Sequence, residues 1–170
     1  VQVSMPRDGF VSILQEIEYA SFDKAAPVVR QETVTSRVAL TETKITLASD
    51  GVTLGGTFTA PEGAGPFPAL LILQDLGKTD RDGNAPAGGG VSPSRQLAYL
   101  LAEEGIATLR VDSRGVGQSG GESEKLLLSS REKDIASLVA WLRANPAVKA
   151  GQVFVYASGL SGWVALRAEA

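Results

Sequence analysis

The chain has 170 residues, 44% of them apolar, and a formal net charge of −3, which is enough for one domain with a buried core. It offers neither a basic stripe for nucleic acid nor a polybasic surface for anionic lipid. Cysteine and histidine are both absent, so disulfides, thiolate nucleophiles, Cys-ligated zinc and any self-contained Ser-His-Asp or His-metal site are excluded within these residues.

No apolar run approaches the ~20 residues of a membrane-spanning helix, and Val1 to Phe10 lack the basic-then-apolar order of a signal peptide. The sequence reads as soluble with its compartment open, and no metal or cofactor is expected. Residues 1–40 read as a lead-in or the end of a preceding segment. Within them Phe10, Ile13, Leu14 and Ile17 share one face of a short amphipathic helix, and Pro27 ends the region.

From Val34 the pattern alternates. Lys44 to Ala48 and Val52 to Thr59 are β-rich runs separated by Ser49-Asp50-Gly51, which predicts a hairpin at the antiparallel edge of a sheet, with Gly51 taking the positive φ. Pro61 to Pro68 is a loop by composition. Ala69-Leu70-Leu71-Ile72-Leu73 is a continuous apolar run suited to a strand covered on both faces. A Gly- and Pro-rich loop, Lys78 to Ser92, leads to a helix over Ser94 to Gly105 with Leu97, Leu100 and Leu101 facing the core. Ile106 to Val111 is the next strand. Ser130 to Arg143 is a second helix with Ile135, Leu138, Val139 and Leu142 inward, closed by Asn145-Pro146. Val153 to Tyr156 reads as another buried strand, and Ser161 to Ala170 begins a helix.

The repeated order of strand and helix produces a mostly parallel, doubly wound α/β sheet behind an N-terminal antiparallel hairpin. In such sheets the ligand crevice lies at the carboxyl ends of the strands. Chemistry is therefore sought at Gln74-Asp75-Leu76-Gly77, Asp112-Ser113-Arg114-Gly115 and Ala157-Ser158-Gly159. Gly115 to Gly120 also fits G-x-G-x-x-G, but Glu122 and Glu124 follow it and the next helix starts too late to receive a pyrophosphate, which weighs against nucleotide binding.

Three segments resemble the α/β-hydrolase superfamily, in particular its bacterial esterase and serine-aminopeptidase-like branch. These are the loop Thr79-Asp80-Arg81-Asp82-Gly83-Asn84 after an apolar strand, the turn Asp112-Ser113-Arg114-Gly115-Val116-Gly117-Gln118-Ser119 (D-x-R-G-x-G-x-S), and Val153 to Gly162, which is built like a nucleophile elbow. The resemblance spans residues 42–170 and implies the N-terminal part of such a domain over 41–170, apparently incomplete. Its acid and histidine would come from loops after later strands.

The resemblance implies hydrolysis of a small-molecule ester or amide through a serine nucleophile. Aligned strand end to strand end, however, Gly159 stands where that serine belongs, with Ala157 and Ser161 at the flanking glycine positions. Ser158 or Ser161 serves as nucleophile only if the register shifts. The oxyanion donors implied are the backbone N–H of Leu160 and that of Asp75 or Leu76. A carboxylate at Asp75 repels a developing oxyanion, unless it turns outward and pairs with Lys78 or Arg81. Asp112, Arg114, Gly115 and Gly117 are expected to hold the D-x-R-G turn through charge-assisted hydrogen bonds and tight chain reversal.

Two functions follow: a hydrolase-like protein inactive as it stands, or a non-catalytic binding or interaction module. An unpaired strand 153–156 exposes an apolar edge, so self-association or a further C-terminal part is expected to cover it.

Overall fold

A computed structural model describes residues 35–86, 90–123 and 127–168. The amphipathic segment at residues 10–17 and Pro27 lie outside the described residues. Among these residues five strands form one sheet: β1 (Leu40–Ser49), β2 (Val52–Pro61), β3 (Phe67–Leu73), β4 (Ala107–Val111) and β5 (Val148–Ala157). Among the described residues three helices accompany them: α1 (Pro93–Glu103), α2 (Leu128–Ala144) and α3 (Leu160–Ala168). The strand order is β1-β2-β4-β3-β5, antiparallel through β1, β2 and β4 and parallel through β4, β3 and β5.

The hairpin closes more tightly than the sequence suggests. Ser49 pairs with Val52 inside the ladder, so only Asp50 and Gly51 turn, and both take positive φ (44° and 78°). That is the two-residue turn whose twist matches the flanking strands. β1 is an edge strand with Glu42 and Lys44 exposed on it, charges that discourage pairing with another chain.

β3 and β4 form the middle of the sheet. Ala69, Leu71, Ile72 and Leu73 are buried, as is every residue of β4. Side chains alternate across a strand, so Ala107, Leu109 and Val111 join the main apolar cluster with Ile135, Leu138, Val139 and Leu142 of α2. Thr108 and Arg110 face the other side, where α1 lies against β4 and β2. There the guanidinium of Arg110, 1% exposed, is held by Asp82, Glu42 and the hydroxyl of Thr59, and Arg95 of α1 shares Asp82. Such pairing offsets part of the cost of burying the cation.

Two expectations fail. In α1 the core-facing residues are Ser94, Ala98 and Ala102, with Leu97 and Leu101 half-buried and Leu100 58% exposed. The small side chains form the contact stripe, which turns Leu100 to the outside. In β5 the strand is not buried on both faces: Phe154 and Tyr156 are 58% and 50% exposed, because β5 is the sheet's second edge among the described residues.

Candidate functional site

Two of the three strand-end loops meet. β5 ends at Ala157 and α3 starts at Leu160, leaving Ser158 and Gly159 to make the turn, with Gly159 at φ 56°. Beside it lies the loop after β3. The carboxylate oxygen Oδ1 of Asp75 accepts the backbone N–H of Leu76 at 2.7 Å and that of Leu160 at 2.8 Å. A Cβ placed on Gly159 would stand 2.1 Å from Oδ2 and 2.2 Å from Cγ of the same carboxylate. Asp75 therefore occupies the space that a side chain at 159 would need, and it takes both donors.

Of the two alternatives for Asp75, its carboxylate stands at the N–H pair. Arg81 turns its guanidinium and backbone N–H to Asp112 instead (2.5 and 2.8 Å). Of the two candidate donors on the β3 loop, the N–H of Leu76 points to this position, while Asp75 contributes its carboxylate. A carboxylate here is favoured by charge-assisted hydrogen bonds and by the positive end of α3. The crest is open, with Asp75, Gly159 and Leu160 exposed.

Ser161 lies beneath the crest, fully buried, and its Oγ accepts a hydrogen bond from Nη2 of Arg131 at 3.3 Å. Ser158 is half-buried and its N–H is bonded to the carbonyl of Leu73 at 3.3 Å. A Cβ on Gly162 would make a tight contact with the carbonyl oxygen of Ala157, at 3.3 Å. Neither serine occupies the tip of the turn.

Arg131 is the residue that the sequence reading passed over. It is 1% exposed, and Nη2 also donates to the carbonyl of Gln74 at 3.2 Å, so one guanidinium bonds the residue before Asp75 and the residue after Leu160. Burial lowers its pKa, with Asp134 and Asp75 acting to keep it charged. The signal was present: 131, 135, 138 and 142 form one helical stripe, and a cation on an otherwise apolar stripe is a buried charge.

The D-x-R-G turn forms a separate cluster. Asp112, buried, accepts from Arg81 and from the N–H of Gln118 at 2.9 Å. Burial pushes its pKa up, but the Arg81 guanidinium and the N–H groups of Gln118 and Arg81 outweigh that and hold it below the usual 3.8. Arg114 makes a two-point pair with Asp134, Nε to Oδ2 at 2.8 Å and Nη2 to Oδ1 at 2.7 Å. Gly115 and Gly117 both have positive φ, and a Cβ on either would fall within 2.5 Å of a neighbouring atom. The turn is tied to β2 by the N–H of Gly120 on Thr53 and by Ser119 Oγ on the N–H of Gly55. It supports the sheet and does not reach Gly159.

A half-sheet in this strand order, with a strand-turn-helix elbow at β5, is the N-terminal architecture of an α/β hydrolase. The crystal structure of 2,6-dihydroxy-pseudo-oxynicotine hydrolase superposes with a TM-score of 0.59 at 26% identity, covering 75% of this chain and 32% of that one. Ferulic acid-bound Est1E from Butyrivibrio proteoclasticus shares the fold with a TM-score of 0.61 at 22% identity, covering 74% and 47%. Residues 50–170 match the X-Pro dipeptidyl-peptidase (S15) family, and the chain belongs to it.

In sequence, 2,6-dihydropseudooxynicotine hydrolase of Paenarthrobacter nicotinovorans is 28% identical over 124 residues, 73% of this chain and 30% of that protein. The chain spans about a third of the length of the curated relatives it matches.

Proposed function

We propose that this chain derives from a lineage that hydrolyses esters or amides by acyl transfer to serine, and that as it stands it performs no such reaction. The observation that carries the reading is the pairing of Gly159 with Asp75. The position for a nucleophile has no side chain, and the N–H pair that would stabilise a tetrahedral oxyanion is already bound to a carboxylate. A substrate carbonyl would have to displace a charged acceptor before it gained any stabilisation. With no histidine in the 170 residues, the chain supplies no imidazole base either.

The test is turnover of p-nitrophenyl acetate and of an X-Pro p-nitroanilide by the full chain, with labelling by a fluorophosphonate probe alongside. Rates equal to buffer and no label are expected. A robust rate that disappears in Ser161→Ala would overturn the reading.

The alternative, an interaction module, is favoured by a second observation. Val153, Phe154, Val155, Ala157, Ala165 and Leu166 line an open groove of about 520 Å³ between β5 and α3, beside exposed Trp163. Further protein or a second copy covering this edge would account for it. A monomeric elution profile independent of concentration would count against the second copy.

A further inference from the structure

Among the described residues the sheet ends differently at its two edges. β1 carries exposed Glu42 and Lys44, whereas β5 presents Phe154 and Tyr156, each about half exposed. Charges on an edge keep another strand away, and a bare apolar edge invites one. α3 continues the apolar surface: Trp163 is 52% and Leu166 79% exposed, and Ala165 and Leu166 form one wall of the groove beside β5. From Ala150 to Leu166 the sequence has no charged residue. The cation that borders the patch, Arg167, is bonded to Glu132 and lies over the Trp163 ring at 5.3 Å.

We propose that this edge is a self-association surface, on which β5 of a second copy pairs antiparallel with β5 about a two-fold axis. Charge and area select a second copy as the occupant. Each chain carries a net charge of −3, so two copies repel over most of their surface, and a patch without charge is complementary to itself. At roughly 150–250 Å² per aromatic side chain, the exposed halves of Phe154, Tyr156 and Trp163, with Leu166, offer on the order of 500 Å² a copy. Two copies bury on the order of 1,000 Å², where specific interfaces begin and association is weak and concentration-dependent. Pairing gives partners to the outward N–H and C=O groups of the edge strand. Because both copies use the same strand, the assembly closes at two, with the charged β1 edges outermost. The inference rests on the reading of the chain as an interaction module. Ester turnover or fluorophosphonate labelling would defeat that reading, whereas the experiment below measures association alone.

The experiment is sedimentation velocity of the full 170-residue chain over a dilution series, beside the double variant Phe154→Lys/Tyr156→Lys and the control Leu100→Lys. The unchanged chain should shift reversibly between monomer and dimer. Leu100 is exposed on α1, which packs on β4 and β2, so Leu100→Lys should associate as the unchanged chain does. The double variant sets like charges across paired strands and should weaken association more than about tenfold. A folded double variant that dimerises as strongly as the unchanged chain overturns the proposal, as does equal loss in Leu100→Lys. Monomer at every concentration also overturns it and leaves the edge to a different length of polypeptide. Species that grow beyond two copies overturn it too, since they mean open-ended pairing.

Should the double variant not fold, amide hydrogen exchange of the unchanged chain decides. Concentrating the protein should slow the outward amides of Val153 to Ala157 by at least about tenfold and leave those of β1 as they were. Equal β5 rates in dilute and concentrated samples overturn the proposal.

Discussion

The D-x-R-G turn and the elbow are built on one local device. In each a glycine at positive φ, Gly117 at 55° and Gly159 at 56°, lies so close to an aspartate that a Cβ would meet Oδ2, at 2.3 Å from Asp112 and 2.1 Å from Asp75. In each the same carboxylate accepts the N–H of the next residue, Gln118 or Leu160. Their surroundings differ. Asp112 is 2% exposed, belongs to the turn it braces and is bonded by Arg81, whereas Asp75 crosses from another strand to an exposed crest. A shared geometry thus serves as internal scaffolding in one place and as an exposed surface contact in the other.

The largest effect should come from the scaffold. Asp134→Ala leaves the buried guanidinium of Arg114 without its two-point partner, with Asp50 at 3.7 Å and the carbonyl of Ser49 at 3.5 Å remaining. A loss of about 3 kcal/mol in urea unfolding is expected, the lower end of the cost of stranding a buried charge. A loss under about 1 kcal/mol, the surface-pair value, would show that this turn is no more internal than the crest.

Gly117→Ala comes next. It pays for a left-handed alanine, roughly 1–2 kcal/mol, and it also drives Asp112 from a buried position where Arg81 and Gln118 depend on it. A total above about 2 kcal/mol is expected, since hydrogen bonds to charged groups contribute about 1.5–3 kcal/mol. Adding Asp112→Gly should recover little, because Arg81 then loses its partner.

Much of the frame was legible. Asp50-Gly51 between alternating runs specifies the hairpin, Ala69 to Leu73 is apolar at every position as a two-faced strand must be, and α2 carries its stripe at 135, 138, 139 and 142. Periodicity places residues on a face but does not say how closely a helix approaches its sheet. That is why Ala98 and Ala102, not Leu100, form the contact of α1. At the crest, Gly159 and the N–H of Leu160 were visible because they lie within a local strand-turn-helix pattern. The position of Asp75 was not, because it depends on a contact between residues 85 apart in sequence. A charge next to a loop glycine has several partners within reach, and only the packing of β3 against β5 selects one.

The smallest effect separates the two glycines most sharply. Gly159→Ala should cost about 1–2 kcal/mol for the left-handed alanine, and a smaller further amount for the two exposed hydrogen bonds that Asp75 gives up as it swings into water. Because the two changes share one space, Gly159→Ala and Asp75→Gly should not add in a double-mutant cycle. Once Asp75 is removed, the second substitution meets no carboxylate and costs only backbone strain. The cycle is measured by urea unfolding, with the amide shift of Leu160 reporting where the carboxylate has gone. Strict additivity, with Leu160 unmoved in Gly159→Ala, would mean that Asp75 does not occupy the side-chain space of position 159. The crest would then be an ordinary turn rather than a filled site.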